Sequence, residues 1–181
     1  MSNGSKKLFL SAVSSEFVSY RELLSGDLKR PNLDVAVQKD FIVTGGSTLE
    51  KLDDCIRHCD GIVHLIGKAS GAVPKEPAVA ALLARYPDFG QRLPPLAEAL
   101  RQPQPGFSYT QWEAYLALYH RRPLFVYRPK DFESDALDVP RAARFVFDAG
   151  EAESQQEHYG RISALRRDEE LADAKAVLLA T

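Results

Sequence analysis

Apolar and polar positions along this chain alternate between two rhythms: short continuous runs suited to buried strands, and stripes recurring about every 3.6 residues suited to helices. The first run, Lys7–Ser11, predicts a strand. Behind it Ser14 or Ser15 offers an N-cap, Glu16 suits a first turn, and Phe17, Tyr20, Leu24 and Leu28 trace a helical stripe. Pro31 and Asn32 break that helix, and the valine-rich stretch Asp34–Gln38 predicts a second strand. After a loop from Phe41 to Gly46, Ser47-Thr48-Leu49-Glu50 has the form of a capping box, and Leu49, Leu52, Ile56 and Cys59 continue as one stripe. The run Gly61–Gly67 is apolar apart from His64, as befits a central strand of a parallel sheet covered on both faces.

Residues 68–106 hold seven of the eleven prolines, around two short helical patterns at Val79–Tyr86 and Leu96–Arg101. This stretch reads as a proline-rich insertion, too apolar for a disordered linker, and is expected to fold over the sheet end as a lid or a subunit contact. The helical rhythm then returns. Trp112, Tyr115, Leu116 and Tyr119 form a core stripe, while Glu113, Ala117 and His120 share the adjoining flank. Arg121 and Arg122 suit the negative helix end, and Pro123 opens a fourth strand, Leu124–Tyr127. A fifth short strand is expected at Arg144–Phe147, followed by a terminal helical segment over about 154–181. Strands alternating with helices predict a single α/β domain, 1–181, on a doubly wound five-stranded parallel sheet of order 2-1-3-4-5. Its apolar ending, AVLLA, suits either a helix docked on this domain or a protein that continues into another domain or meets a partner protein there.

With 181 residues, 45% of them hydrophobic, the chain can bury a sizeable core. Its formal charge of −2 gives no overall basic field, so direct nucleic-acid binding is not expected. No apolar run approaches the roughly 20 residues that cross a bilayer, so neither is a membrane role. Met1–Lys7 is small and polar, and the strand behind it is too short for a secretion signal; a cytoplasmic location is the default expectation. Cys55 and Cys59, the only cysteines, read as reduced core residues. His58, His64, His120 and His158 show no metal-ligand spacing, and no metal site is expected. For His64 the plain reading is a ring nitrogen bonded to a neighbouring group.

Chemistry enters with Glu113. Clefts in an open parallel sheet form beyond the carboxyl ends of the strands, where helices begin. A lone acid near such a helix start reads as a working carboxylate facing the cleft or as a solvated helix-start acid. The first loop, Ser11 to Ser15, offers hydroxyls and helix-start amides that suit phosphate or ribose oxygens, or an ordinary serine-rich cap. Arg21 suits a phosphate, or a pairing with Glu22 or Asp27. A Walker-type phosphate loop, a GxGxxG turn, a GxSxG elbow and an HExxH helix are all missing from the sequence.

Three blocks carry a resemblance: LFLSAVSSEFVSYRELL at the front, GGSTLEKLDDCIRHCDGIVHLIG in the middle and SYTQWEAYLALYHRRPLFVY later. In order and spacing they resemble the signature blocks of TIR (Toll/interleukin-1 receptor) domains, and more narrowly a bacterial TIR-like family first described as a domain of unknown function. They span Lys7 to Arg128, the insertion excepted. The resemblance implies a flavodoxin-like, TIR-like fold. Enzymatic TIR domains cleave the nicotinamide–ribose bond of NAD with one glutamate on the helix before the fourth strand, followed by a small residue and then the next strand. Glu113, Ala117 and Leu124 match that order. Trp112 supplies the aromatic that precedes the acid, at closer spacing than in the commonest animal members.

The implied activity is NAD hydrolysis, releasing nicotinamide and ADP-ribose or cyclic ADP-ribose, activated by self-association through TIR–TIR contacts in bacterial defence or signalling. NAD is then the substrate and no cofactor is implied. Glu113 takes the catalytic role; Ser11, Ser14, Ser15 and Arg21 meet ribose or phosphate, and Phe17, Tyr109 or Trp112 stacks on a base. Each has a plainer reading: Trp112, Tyr115 and Tyr119 suit the core better than a binding surface. A non-catalytic TIR-like oligomerisation or adaptor module, and a nucleoside or nucleotide base transferase on a similar sheet, are the alternatives.

Overall fold

The apolar runs assemble into one parallel sheet. In a computed structural model that describes residues 5–37, 47–128 and 154–167, β1 (Lys6–Ser11) lies beside both β2 (Leu33–Val37) and β3 (Gly61–Leu65), and β3 carries β4 (Leu124–Tyr127) on its far side. The order is 2-1-3-4, with every described pairing parallel. Each crossover is helical: α1 (Val18–Leu28), α2 (Thr48–Arg57) and α5 (Tyr109–Tyr119). Ahead of α5 come α3 (Glu76–Arg85), the short α4 (Phe89–Arg92) and two tight 3₁₀ turns, Pro94–Leu96 and Ala99–Arg101. Residues 154–167 form a further helix, α6. The fifth strand expected at Arg144–Phe147 lies outside the described residues.

Strand alternation divides the apolar side chains between two layers. Phe9 and Ile62 point into the main core, where they meet Leu49, Leu52 and Ile56 of α2, the α5 side chains, and Ile162 and Leu165 of α6. Leu10, Val35, Val37 and Val63 point the other way and are covered by Leu24 and Leu28 of α1. Ser47 caps α2 as its sequence predicts, accepting from the Glu50 amide at 3.2 Å while its own amide donates to the Glu50 carboxylate at 2.8 Å.

Five expectations are corrected. The hydroxyls of Ser14 and Ser15 do not cap α1, which begins after Phe17 with no side-chain cap. Glu16 is drawn instead to a neighbouring loop, and residues 14–16 form a turn. Tyr20 is 56% exposed rather than core, because α1 meets the sheet through Leu24 and Leu28 alone among its expected stripe. The second strand starts one residue early, at Leu33, where pairing with Lys6 extends the ladder. Most consequential, α5 has no solvent flank: every residue from Thr110 to Tyr119 is buried, so its periodicity does not mark a cleft-facing side. It lies between the sheet, α2, the insertion and α6. The insertion is likewise core. Val79, Leu82, Phe89, Leu93 and Leu96 are at most 4% exposed, and its helices pack on α2 and α5 instead of serving only as a cover at the strand ends.

Candidate active site

In a doubly wound sheet the connections leave the strands in opposite directions at one point, and the gap between those strands is the natural binding crevice. In the order 2-1-3-4 that point lies between β1 and β3. Ser11 and His64 stand there as direct register partners on the face toward α5. Glu113 of α5 comes to the same spot, close enough to the Ser11 hydroxyl for it to act on the carboxyl group.

The surroundings are dry. Ser11 is 0%, His64 1% and Glu113 2% exposed. Burial dominates the Glu113 carboxyl and pushes its pKa up to about 8, against the Ser11 hydrogen bond and the positive charge of Arg21, while Cys55 adds to the rise. Near neutral pH the group is mostly protonated. His64 is driven the other way, to about 3, by the same burial, so its ring is neutral.

Ser11 begins a buried chain of hydrogen bonds. Its Oγ lies 2.7 Å from His64 Nδ1, His64 Nε2 lies 2.9 Å from His158 Nε2, and His158 Nδ1 lies 2.8 Å from the Tyr115 hydroxyl. His158 is 0% exposed on α6, and burial again comes first among the causes that hold it neutral, followed by the neighbouring His64 ring and the positive charge of Arg161. Sequence reasoning missed this chain. His64 stands out as the one polar residue in an apolar run, but its partner is 94 positions away and no spacing rule connects them.

A carboxylate ties together the two loops beside this switch point. Glu16 accepts from the backbone amides of Lys68 at 2.8 Å and Ala69 at 3.0 Å, tying the turn after β1 to the loop after β3. Gly67 permits this approach, since a Cβ there would lie 2.1 Å from a carboxylate oxygen. Further along that loop Gly71 adopts φ 85°, a left-handed conformation that favours glycine. Gln155 of α6 fastens the same loop by donating to the Ala69 carbonyl at 2.9 Å and accepting from Gln111 at 3.1 Å. Gln111 in turn completes the capping box of Ser108 that starts α5.

Of the residues singled out by sequence, Glu113, Ser11, Arg21 and Ser14 come together. Arg21 is half-buried, near enough to Glu113 to act on it electrostatically, and it donates to the exposed Ser14 hydroxyl. Ser15 is exposed and Phe17 half-buried in the turn beside them. Tyr109 sits apart, its amide donating to the Ala72 carbonyl at 2.9 Å. Trp112 is fully enclosed among Phe89, Phe107 and Tyr115 and presents no stacking face to solvent.

A second buried acid has a different character. Asp53 on α2, 0% exposed, accepts from Tyr86 at 2.8 Å and Arg85 at 3.0 Å and contacts His120 Nε2 at 2.7 Å. Burial raises its pKa, but those partners outweigh it and hold the group below the ordinary carboxylate value. Its oxygens are spent on binding α3 and the end of α5 to α2. Among the described residues no group of three or more histidine, cysteine or acidic side chains is arranged to hold a metal ion.

Fold and crevice together define a parallel α/β protein with a closed polar site, centred on one acid, at the switch of its sheet. No family model and no curated protein matches the chain. Among solved structures it is similar to a 2-desoxiribosyltransferase from Leishmania mexicana, with 15% identity and a TM-score of 0.40 over 68% of this chain and 64% of that one. The chain thus matches somewhat under two-thirds of that enzyme's length, a likeness too slight to carry an assignment. No helix among the described residues is long and apolar enough to cross a membrane.

Proposed function

We propose that the chain is a TIR-like hydrolase that cleaves the nicotinamide–ribose bond of NAD, with Glu113 as the catalytic acid group. The observation that supports this reading most is a solitary carboxyl held against a serine hydroxyl at the switch point, with Arg21 beside it. Nicotinamide leaves a cationic ring as a neutral molecule, so the reaction needs no second acid to protonate its leaving group, unlike ordinary glycoside hydrolysis. It needs a negative charge against the ribose as that sugar becomes positive. A protonated Glu113 fits that requirement because a cationic substrate beside it favours the charged form and draws the proton off. Ser11 then donates to the carboxylate and fixes its orientation toward the ribose, while Arg21 and the hydroxyl of Ser14 meet the diphosphate.

Glu113 is shut off in this conformation, so turnover requires the Glu16 tie to release. Self-association through TIR–TIR contacts supplies the free energy for that opening, and a bacterial defence or signalling setting with a cytoplasmic NAD pool accords with such gating. The test is to incubate the purified protein with NAD across a concentration series and follow free nicotinamide. Release that rises steeply with protein concentration and vanishes in Glu113→Ala supports the reading; release unchanged in that variant would sink it.

The same closure favours a second reading, a non-catalytic oligomerisation or adaptor module. Assembly without any NAD consumption is its signature. A purine deoxyribonucleoside with an acceptor base, run in parallel, separates hydrolysis from base transfer.

A further inference from the structure

The seat that Glu16 occupies has the form of an anion site. Its carboxylate spans two consecutive backbone amides with one oxygen for each: Oε1 accepts from Lys68 at 2.8 Å and Oε2 from Ala69 at 3.0 Å. Both amides belong to the loop that leaves the carboxyl end of β3, beside the switch point where open α/β sheets take their ligands. Converging backbone amides of this kind make concavities that hold oxyanions. Gly67, just ahead of them, supplies the room, since a Cβ there would collide with both carboxylate oxygens. The acid thus fills the space that a side chain would take.

The loop keeps its shape through bonds that do not involve Glu16. Gln155 of α6 donates to the Ala69 carbonyl at 2.9 Å, and the Tyr109 amide at the start of α5 donates to the Ala72 carbonyl at 2.9 Å. The two amides therefore stay aimed at one point when the acid departs. A cationic donor stands close by as well. Two residues before Glu16, the Ser14 hydroxyl accepts from Arg21, whose Nε is buried and has no hydrogen-bond partner among the described residues. A buried donor left bare is costly, and an oxyanion that reaches it removes the penalty. Glu16, Lys68 and Ala69 are each only partly buried, so the seat is reached from solvent without unfolding the core.

We propose that the Lys68 and Ala69 amides form a phosphate-binding site and that Glu16 is its built-in competitor, a carboxylate standing where a phosphate group of the ligand sits. A phosphate has more acceptor oxygens than a carboxylate, so it can take both amides and still offer an oxygen to Arg21. The exchange replaces one anion by another, so neither amide loses its acceptor, and the released Glu16 side chain turns to water. Ligand entry and release of the tie between the turn after β1 and the loop after β3 are then linked. Assigning this phosphate to the diphosphate of NAD rests on the hydrolase reading proposed above; the seat itself does not.

The amide resonances of Lys68 and Ala69 in the full chain test this. Titration with inorganic phosphate, ADP-ribose and adenosine separates the free anion, the nucleotide, and the base with its sugar. Both phosphate-bearing probes should shift the two amides saturably in Glu16→Ala, with a Kd at least about tenfold below that of the wild type, while adenosine leaves them in place. Tighter binding of ADP-ribose than of inorganic phosphate supports a nucleotide as the source of the phosphate; equal binding supports a site for the free anion. Glu16→Gln, which keeps the shape and drops the charge, should fall between Glu16→Ala and the wild type. Gly67→Ala should abolish binding, because its methyl group fills the cradle against any oxyanion. Unaltered hydrogen exchange away from the loop shows that each variant is folded. An affinity unchanged in Glu16→Ala, binding that survives Gly67→Ala, or shifts confined to amides remote from the loop would overturn the proposal and leave the hydrolase reading standing. Phosphate binding at the two amides without nicotinamide release supports the seat and counts only against hydrolysis.

Discussion

Glu113, His64 and His158 make the pH response of this fold unusual, because burial moves their ionisation in opposite directions. Between the ordinary carboxylate and histidine values, about 4.5 and about 6.5, the unfolded chain binds two protons at the histidines that the fold refuses. The fold holds one at Glu113 that the unfolded chain lacks. The net difference of one proton makes stability rise with pH by about 1.4 kcal/mol per unit. Above about 6.5 the histidines are neutral in both states and only Glu113 differs, so stability falls at about the same slope until its folded pKa of about 8. These three groups thus place a maximum near pH 6.5, readable in urea midpoints at several pH values. Glu113→Gln should remove the alkaline fall, stabilise the protein by about 3 kcal/mol at pH 7, and roughly double the acid slope. A wild-type stability still rising from pH 7 to 8 would refute this.

At the scale of elements, α5 shows where pattern reading succeeds and where it stops. Its boundaries and the strand behind it follow from Ser108, Pro123 and the apolar run to Tyr127, and the capping box at Ser47 announces α2 equally well. Its orientation was not legible. A helix buried on every side has apolar and small residues all round, so the stripe through Trp112 and Tyr115 does not distinguish the side of Glu113 from any other. The α1 stripe fails for the opposite reason: Tyr20 shares its periodicity with true core positions, yet no element among the described residues buries it. The insertion was legible as a break but not as core, since its helices pack through side-chain contacts with α2 and α5. Asp53 joins those pieces with three polar partners. Asp53→Ala should lower stability by about 3 kcal/mol, as expected when a buried ion pair loses one member, with a lowered urea midpoint as the readout.

On the scale of the whole molecule, the parallel order 2-1-3-4 could be read from the alternation of strands and helices, and the switch between β1 and β3 follows from that connectivity. What could not be read is everything that depends on distant segments meeting there. Glu16 lies more than fifty positions from Lys68 and Ala69. Within a sequence window it suits a helix start; in the fold it joins two loops. Glu16→Ala should therefore speed hydrogen exchange at the Lys68 and Ala69 amides by at least about tenfold, since bonds to a charged acceptor contribute about 1.5–3 kcal/mol. Unchanged protection would show that the two loops hold together without it.

Gly67 gives that tie a hidden weakness. Its backbone does not require glycine, and the atoms a methyl group would strike belong to the movable tip of Glu16. Gly67→Ala would accordingly act as a wedge, evicting the acid from its seat while every charge in the protein stays in place. The same two amides should lose protection as in Glu16→Ala, with the rest of the exchange map intact. One added carbon at the rim would thus leave the crevice ajar, separating the effect of an unlatched entrance from that of a missing anion.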